Sequence, residues 1–369
     1  MLYTAQIEKE LSKGYTQASL NYVKSLQTQN INFEMLPLGQ TVHWEYKPYW
    51  IQSSIDFFSK TQSNREIVLT HITPSDLLKV KYKGSKKTIG LTTFETTRLP
   101  KWIVSGLNDF YDGLIVPSTY NKESLISSGI QIPIEVVEHA IGNWWLDHYT
   151  PKNSEPYVFG YIGGWNNRKN PMLILESFLE LYPKSQENFA LFLKTYTDVQ
   201  KANYIEDLIK GREDIWFYNE SWTEEQMAWG YSQIDCFISA HKGEGFGLNM
   251  AQANYLNKPV IFTNYSAPTE WLKVDSCNNY PVSFQTETAK VNSDLYKYFK
   301  TENGAELLWA NPEKEDLISQ IQRVANEKPK EAMAQQDLEA YRERFSWKNI
   351  GENLVLAIES ISGLPLERI

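Results

Sequence analysis

Short β-branched or aromatic runs alternate repeatedly along this chain with longer stretches of helical period. Leu2–Ile7, Ile31–Leu36, Glu66–Ile72, Thr88–Leu91, Gly113–Val116 and Ile134–Val137 read as strands. Between them, Gln17–Gln27 places Ala18, Leu20, Val23 and Leu26 on one helical face, and Trp50–Phe58, Trp102–Phe110 and Lys122–Ser128 read the same way. The alternation breaks over His139–Pro156, where Gly142, Pro151, Asn153, Ser154 and Pro156 mark a connection. It restarts with strands at Tyr157–Ile162, Phe189–Lys194, Ile215–Tyr218, Cys236–Ser239 and Pro259–Thr263. The helices among these are Pro171–Leu181, Val199–Lys210, Glu224–Ser232 and Leu248–Leu256. Val274–Asn311 reads as loop with one short strand, Pro281–Phe284, and the tail as three helices, Glu315–Asn326, Glu331–Arg344 and Trp347–Ser360.

Alternation of this kind implies parallel sheets covered by helices on both faces. The expected fold is therefore α/β, with two Rossmann-like doubly wound domains facing each other across a cleft. The expected division is residues 1–147, residues 148–345 and a closing helical segment, 346–369. The length of 369 residues accommodates two domains. Ligands of such sheets bind at the carboxyl ends of the strands, which makes the cleft the expected site before any motif is read.

Composition excludes several classes. With 42% hydrophobic and 22% charged residues, the chain is not disordered as its main state. Two cysteines, Cys236 and Cys277, cannot build a disulfide-stapled fold and lack metal-ligand spacing. No His-Glu-x-x-His pattern and no Asp-x-Asp pair after a strand is present, so no metal is expected. A net charge of −9 argues against a nucleic-acid partner. No apolar run approaches the ~18 residues of a bilayer span. The start, Met1 to Glu8, lacks the basic region of a signal peptide. The expected location is cytoplasmic, with peripheral attachment to a membrane as the variant.

The most informative stretch is His241-Lys242-Gly243-Glu244-Gly245-Phe246-Gly247-Leu248, which follows an expected strand and opens an expected helix. Its glycines let the backbone approach a ligand closely. The free N–H groups of the helix start suit phosphate oxygens. Glu244 in the turn can accept hydrogen bonds from sugar hydroxyls. The alternative is a tight strand-to-helix turn carrying a solvated glutamate.

Glu244-Gly245-Phe246-Gly247-Leu248, then a helix, then Asn257-Lys258-Pro259-Val260-Ile261, resembles the donor-site signature of glycosyltransferase family 4. Those enzymes are retaining transferases of the GT-B fold, and the resemblance covers most of the chain. Gly160 to Pro171, through Gly163, Gly164, Arg168 and Lys169, is similar to the family's first strand and diphosphate loop. Lys13 to Ala18, with Gly14 and Tyr15, resembles its glycine loop before the first helix. Phe94-Glu95-Thr96, Pro100-Lys101-Trp102 and Val116-Pro117-Ser118 are similar to a run found in one subgroup, and Ser346-Trp347-Lys348 to the opening of the family's last helix.

The resemblance implies a retaining, hexosyltransferase-type enzyme that needs no cofactor or metal. Its donor would be a UDP-, GDP- or ADP-sugar. Its acceptor, a glycan, a lipid-linked molecule, a protein or a small molecule, is not encoded in the sequence. Glu244, Lys169 and Arg168 are the implied catalytic group: the cations meet the charge of the departing diphosphate and Glu244 holds the donor sugar. Gly163, Gly164, Gly245, Phe246, Gly247, Leu248, Gln252 and Glu270 are the implied donor contacts, and Glu270 reads equally as a first-turn glutamate. Gln252 stands where the family has a second glutamate that holds the ribose. Gly164 stands where many relatives have an arginine.

Gly14, Tyr15, His71, Glu95 and His139 are the expected acceptor-side or cleft residues, with a satisfied structural role as the alternative for each histidine. The aromatic run His43 to Trp50 reads as an acceptor-side loop or as a packed loop. Two other readings stand beside the transferase. One is a catalytically weakened, transferase-like adaptor or glycan-binding protein, motivated by Gln252 and Gly164. The other is a nucleotide-sugar epimerase.

Overall fold

The β-branched runs of the first third form one parallel sheet in a computed structural model that describes residues 1–7, 14–38, 66–79, 85–142, 144–152, 155–275, 277–289 and 307–369. The expected helix at Trp50–Phe58, the run His43 to Trp50 and part of the Val274–Asn311 stretch lie outside these residues. The chain divides into two units, Met1–Gly142 with Arg342–Ile369, and Asn143–Ser293 with Leu308–Tyr341.

In the first unit, β1 (Leu2–Gln6), β2 (Glu34–Leu38), β3 (Ile67–His71), β4 (Lys87–Leu91), β5 (Gly113–Val116) and β6 (Ile134–Val136) lie in the order β2-β1-β3-β4-β5-β6. All five pairings are parallel. The expected strand Ile31–Leu36 starts later, at Glu34, because the backbone before it pairs with the chain's last residues: Ile31 bridges to Arg368, and the Asn32 N–H bonds the Glu367 carbonyl. Pro37 sits in β2, an edge strand, where its missing N–H costs no central hydrogen bond. The helices are α1 (Gly14–Thr28), a short α2 (Pro74–Leu77) not expected from the sequence, α3 (Lys101–Phe110) and α4 (Thr119–Ser128). Ser118 caps α4 by accepting a hydrogen bond from the Asn121 amide, and Gly129 closes it in a left-handed conformation.

The second unit opens with a short helix, α5 (Trp144–His148), and repeats the architecture. Its strands are β7 (Tyr157–Ile162), β8 (Phe189–Thr195), β9 (Ile215–Asn219), β10 (Cys236–Ser239), β11 (Val260–Thr263) and β12 (Asn279–Val282), in the order β12-β11-β10-β7-β8-β9. All pairings in this sheet are parallel. The helices α6 (Pro171–Leu181), α7 (Val199–Leu208), α8 (Glu224–Gln233), α9 (Leu248–Tyr255) and α10 (Lys314–Glu327) alternate with these strands or follow them. A reciprocal capping box of Thr223 and Gln226 fixes the start of α8.

The stretch expected to be mostly loop after Val274 holds three strands instead. β12 completes the sheet, and β13 (Phe284–Thr288) pairs antiparallel with β14 (Leu308–Pro312). Neither FQTET nor LWANP carries an apolar run, and their pairing is non-local, so neither is readable from local pattern.

After α11 (Gln335–Arg344), α12 (Trp347–Ser362) packs on α1 within the first unit. A Cβ at Gly351 would collide with the Ser25 carbonyl of α1, so the glycine sets how close the two helices lie. Trp347 donates from Nε1 to Asn21 Oδ1 at 2.8 Å, and Arg344 grips Glu138 with two bonds of 3.0 and 2.6 Å. Each unit has its own apolar core, one around Tyr3, Tyr22 and Leu354, the other around Phe159, Phe178 and Leu193.

Candidate functional site

In the second sheet, β7 has β8 on one side and β10 on the other, so the order of connection reverses between β7 and β10. Ligands of open α/β sheets bind outside the carboxyl ends of the strands at such a reversal. The loops that leave β7 and β10 carry the residues singled out in the sequence. Gly163 follows β7 and donates its N–H to Lys194 O at 3.0 Å. The Gly164 carbonyl accepts from the Tyr161 hydroxyl at 2.8 Å. The Lys169 N–H then bonds Asn166 Oδ1 at 2.9 Å, which closes the loop ahead of α6.

From β10, the chain runs through Ala240 to Gly247. Gly247 has φ +91°, a left-handed conformation that favours glycine, and it precedes α9 with no side-chain cap. The amide groups at the start of α9 therefore carry the unblocked partial positive charge of a helix N-terminus. Phe246 is buried against Trp271, with ring centres 5.6 Å apart and a hydrogen bond from Trp271 Nε1 to its carbonyl. Gly245 and Leu248 are buried beside it.

Glu244 is brought together with both cations of the other loop. Its Oε1 lies 2.5 Å from Lys169 Nζ and its Oε2 lies 3.2 Å from Arg168 Nη1. Arg168 also donates to the Gly243 carbonyl at 2.7 Å, and the Lys242 N–H bonds the Arg168 carbonyl at 2.8 Å, so side chain and backbone both join the loops. Burial pushes the Glu244 carboxyl up, but Lys169, Arg168 and His241 outweigh it and hold the group at about 2. Glu244 is thus a buried carboxylate kept ionised by adjacent cations.

His241 lies behind the loop. Its Nδ1 is 3.1 Å from Ser239 Oγ and its Nε2 is 3.2 Å from the Tyr265 carbonyl. Burial lowers its pKa to about 4, so it is neutral near pH 7. Lys242 points elsewhere: its ammonium pairs with Glu287 at 2.6 Å.

Ser266, which the sequence did not single out as a site residue, accepts from the Glu244 N–H at 2.9 Å. It has φ +61°, and its place beside Ala267-Pro268 is the only local signal of a special turn. Gln252 is buried on α9, where its Oε1 accepts from the Tyr231 hydroxyl at 3.1 Å. Glu270 ends a 3-10 turn, Ala267–Glu270, and is exposed.

The first unit gathers a second group. Its sheet reverses between β1 and β3. His71, the last residue of β3, is fully buried, with Nδ1 2.9 Å from Ser19 Oγ and 3.2 Å from the Tyr3 hydroxyl. His139, just past β6, has Nδ1 3.0 Å from the Tyr22 hydroxyl, and the two imidazole centres are 6.3 Å apart. Tyr15, one residue after Gly14 at the start of α1, lies 5.5 Å from the His71 ring and donates to the Thr93 carbonyl. Burial lowers both histidines, His139 to about 3, so both are neutral. Glu95 lies apart on the loop after β4, half-buried, its carbonyl accepting from Tyr120. Tyr3, Ser19 and Tyr22 have no spacing that would reveal them in sequence.

Residues 147–282 match the family model described as Glycosyl transferases group 1. A search of curated proteins gives no match. Among solved structures, the chain is similar to sucrose-phosphate synthase from Thermosynechococcus elongatus, at 12% identity and TM-score 0.69 over 98% of this chain and 99% of that one. It is similar to HepE from Anabaena, solved in complex with UDP-glucose, at 11% identity and TM-score 0.67 over 98% and 99%. It is also similar to TarM, at 16% identity and TM-score 0.56 over 79% of this chain, which spans about half of TarM (54%). At these identities the structural likeness establishes fold, and the matched segment contains both loops described above. The chain thus has the GT-B fold, and its residues 147–282 are similar to the group 1 glycosyl transferases.

Proposed function

We propose that this chain is a retaining, metal-independent glycosyltransferase that moves a sugar from a nucleotide-sugar to an acceptor hydroxyl. One observation carries the reading: two cations and a buried, ionised Glu244 converge beside the uncapped start of α9. A diphosphate leaving group gains negative charge as the sugar–phosphate bond loosens. Lys169, Arg168 and the helix start are the groups to meet that charge. Glu244 then accepts hydrogen bonds from the sugar ring hydroxyls. The diphosphate competes with Glu244 for the two cations, so donor binding loosens the ion pairs and frees the carboxylate for the sugar. Front-face transfer is the implied path, with the departing phosphate oxygen taking the acceptor proton.

A UDP-sugar is the first donor to test, since HepE was solved with UDP-glucose. Gly163, Gly164, Gly245, Phe246, Gly247, Leu248, Gln252 and Glu270 are the proposed donor surroundings. The first unit, with Gly14, Tyr15, His71, Glu95 and His139, is proposed to serve the acceptor.

The deciding experiment is a transfer assay on Glu244→Ala and Lys169→Ala, with melting temperatures to confirm folding. Each substitution is expected to lower turnover about 10²–10³-fold. Unchanged turnover in both would sink the assignment. Gln252 favours a second reading, a weakened transferase-like protein, because its carbonyl oxygen is engaged by Tyr231. That reading expects nucleotide-sugar binding without turnover, or no binding.

A further inference from the structure

The amino-terminal edge of the second sheet, opposite the donor loops, carries an imbalance of charge around one buried carboxylate. Asp235 immediately precedes β10 and is buried; its Oδ2 accepts the Val158 N–H at 2.9 Å. Two ammonium groups face this carboxylate: Lys330 lies 3.3 Å from Oδ1, and Lys152, which donates to the Pro156 carbonyl at 2.6 Å, lies 4.0 Å from Oδ2. Lys258, two residues before β11, is only 6% exposed. Its ammonium lies 5.1 Å from the centre of the Tyr149 ring, and among the described residues it has no hydrogen-bond acceptor and no ion-pair partner. Glu155, the other carboxylate acting on Lys152, pairs with Lys328 at 3.5 Å. Three lysines against one aspartate leave an excess of two positive charges.

A buried ammonium without an acceptor is costly. Burial lowers the Lys258 pKa to about 8; Asp235 opposes this, while Lys330 and Lys152 lower it further. Loss of the Lys258 proton, about one unit above neutral pH, would relieve the cost only in part. An anion relieves it fully, and a dianion matches the excess charge.

We infer that Lys152, Lys258 and Lys330, set around Asp235 at the amino-terminal edge of the second sheet, form a binding site for a phosphate-type dianion. The ligand class is inorganic phosphate or the head of a phosphomonoester. The site is separate from Lys169 and Arg168, which lie at the carboxyl ends of the strands, and does not depend on the proposed transferase activity.

The test is melting temperature in inorganic phosphate against sodium chloride of equal ionic strength, at a pH where phosphate is mostly dianionic. Wild type, Lys169→Ala, Lys258→Met and Lys330→Met are compared, with glycerol phosphate as a second probe. Phosphate at about 20 mM is expected to raise the melting temperature by about 2 °C or more in wild type and in Lys169→Ala. The rise is expected to vanish in Lys258→Met and to shrink in Lys330→Met. Comparison among variants removes the general salting-out effect of phosphate. Should Lys258→Met not fold, the largely exposed Lys330 carries the test. An equal rise with glycerol phosphate shows that the site takes monoesters as well as the free ion, and a rise with inorganic phosphate alone assigns it to the free ion. No rise in wild type overturns the proposal. So does a rise lost in Lys169→Ala and kept in both other variants, which would place the anion in the donor site.

Discussion

The behaviour of the site follows from which residues share charge with Glu244. Removing Lys169 leaves a buried carboxylate with Arg168 alone. Lys169→Met is expected to destabilise the second unit by roughly 1–3 kcal/mol, less than a fully broken buried pair because Arg168 remains. Its Glu244 pKa should rise from about 2. Denaturant unfolding and a carboxyl-resolved NMR titration check both outcomes. His241 gives a pH signature of opposite origin. Its folded pKa, about 4, lies below its ordinary 6.5. Between these values the unfolded chain binds the proton and the folded one does not, so stability falls as pH drops from 6.5 toward 4. His241→Asn should flatten that slope by up to about 1.4 kcal/mol per pH unit, read from unfolding at a series of pH values. Glu244 acts lower: its contribution is present above its ordinary 4.5 and is lost as pH falls toward 2.

Among the elements, one helix start and one helix contact make separable predictions. Thr223→Ala breaks the capping box of α8 and should cost about 1 kcal/mol, measured by thermal or denaturant unfolding. Gly351→Ala sets a methyl against the α1 backbone, which cannot yield like a flexible side chain. It should cost about 1–3 kcal/mol through a shift of α12 on α1. The start of α9 depends on Gly247, whose positive φ any other residue resists. Several elements were legible because pattern and burial agree there. Tyr157–Ile162 and Pro171–Leu181 carry continuous apolar runs or a proline start, and they stand where the sequence placed them. β2 began later than expected, and β13 and β14 went unseen, because their pairing partners rather than their own residues decide them.

At the scale of the whole molecule, two α/β units each build their own core and sheet. Among the described residues no helix is long and apolar enough to cross a membrane. A nucleotide-sugar that binds only the folded chain should raise the melting temperature, with about 2.7 kcal/mol of stabilisation at a hundredfold excess over its Kd. Under the proposed mechanism the rise is the same in magnesium and in a chelator. A rise that requires magnesium would remove the metal-independent mechanism.

Local pattern alone made legible the α/β class, the repeat of the strand–helix alternation and the glycine turn that carries Glu244. These depend on local period and on residues a few positions apart, so they survive without a partner. That Lys169 and Arg168 close on Glu244 follows from the fold, because the loops meet through the adjacency of β7 and β10, strands far apart in the chain. The fold also decided that Lys242 turns to Glu287, that Gln252 lies under Tyr231, and that His71 and His139 share one buried pocket of tyrosines. Side-chain direction and burial at those positions are set by contacts between distant segments. No window of sequence contains both halves of such a contact.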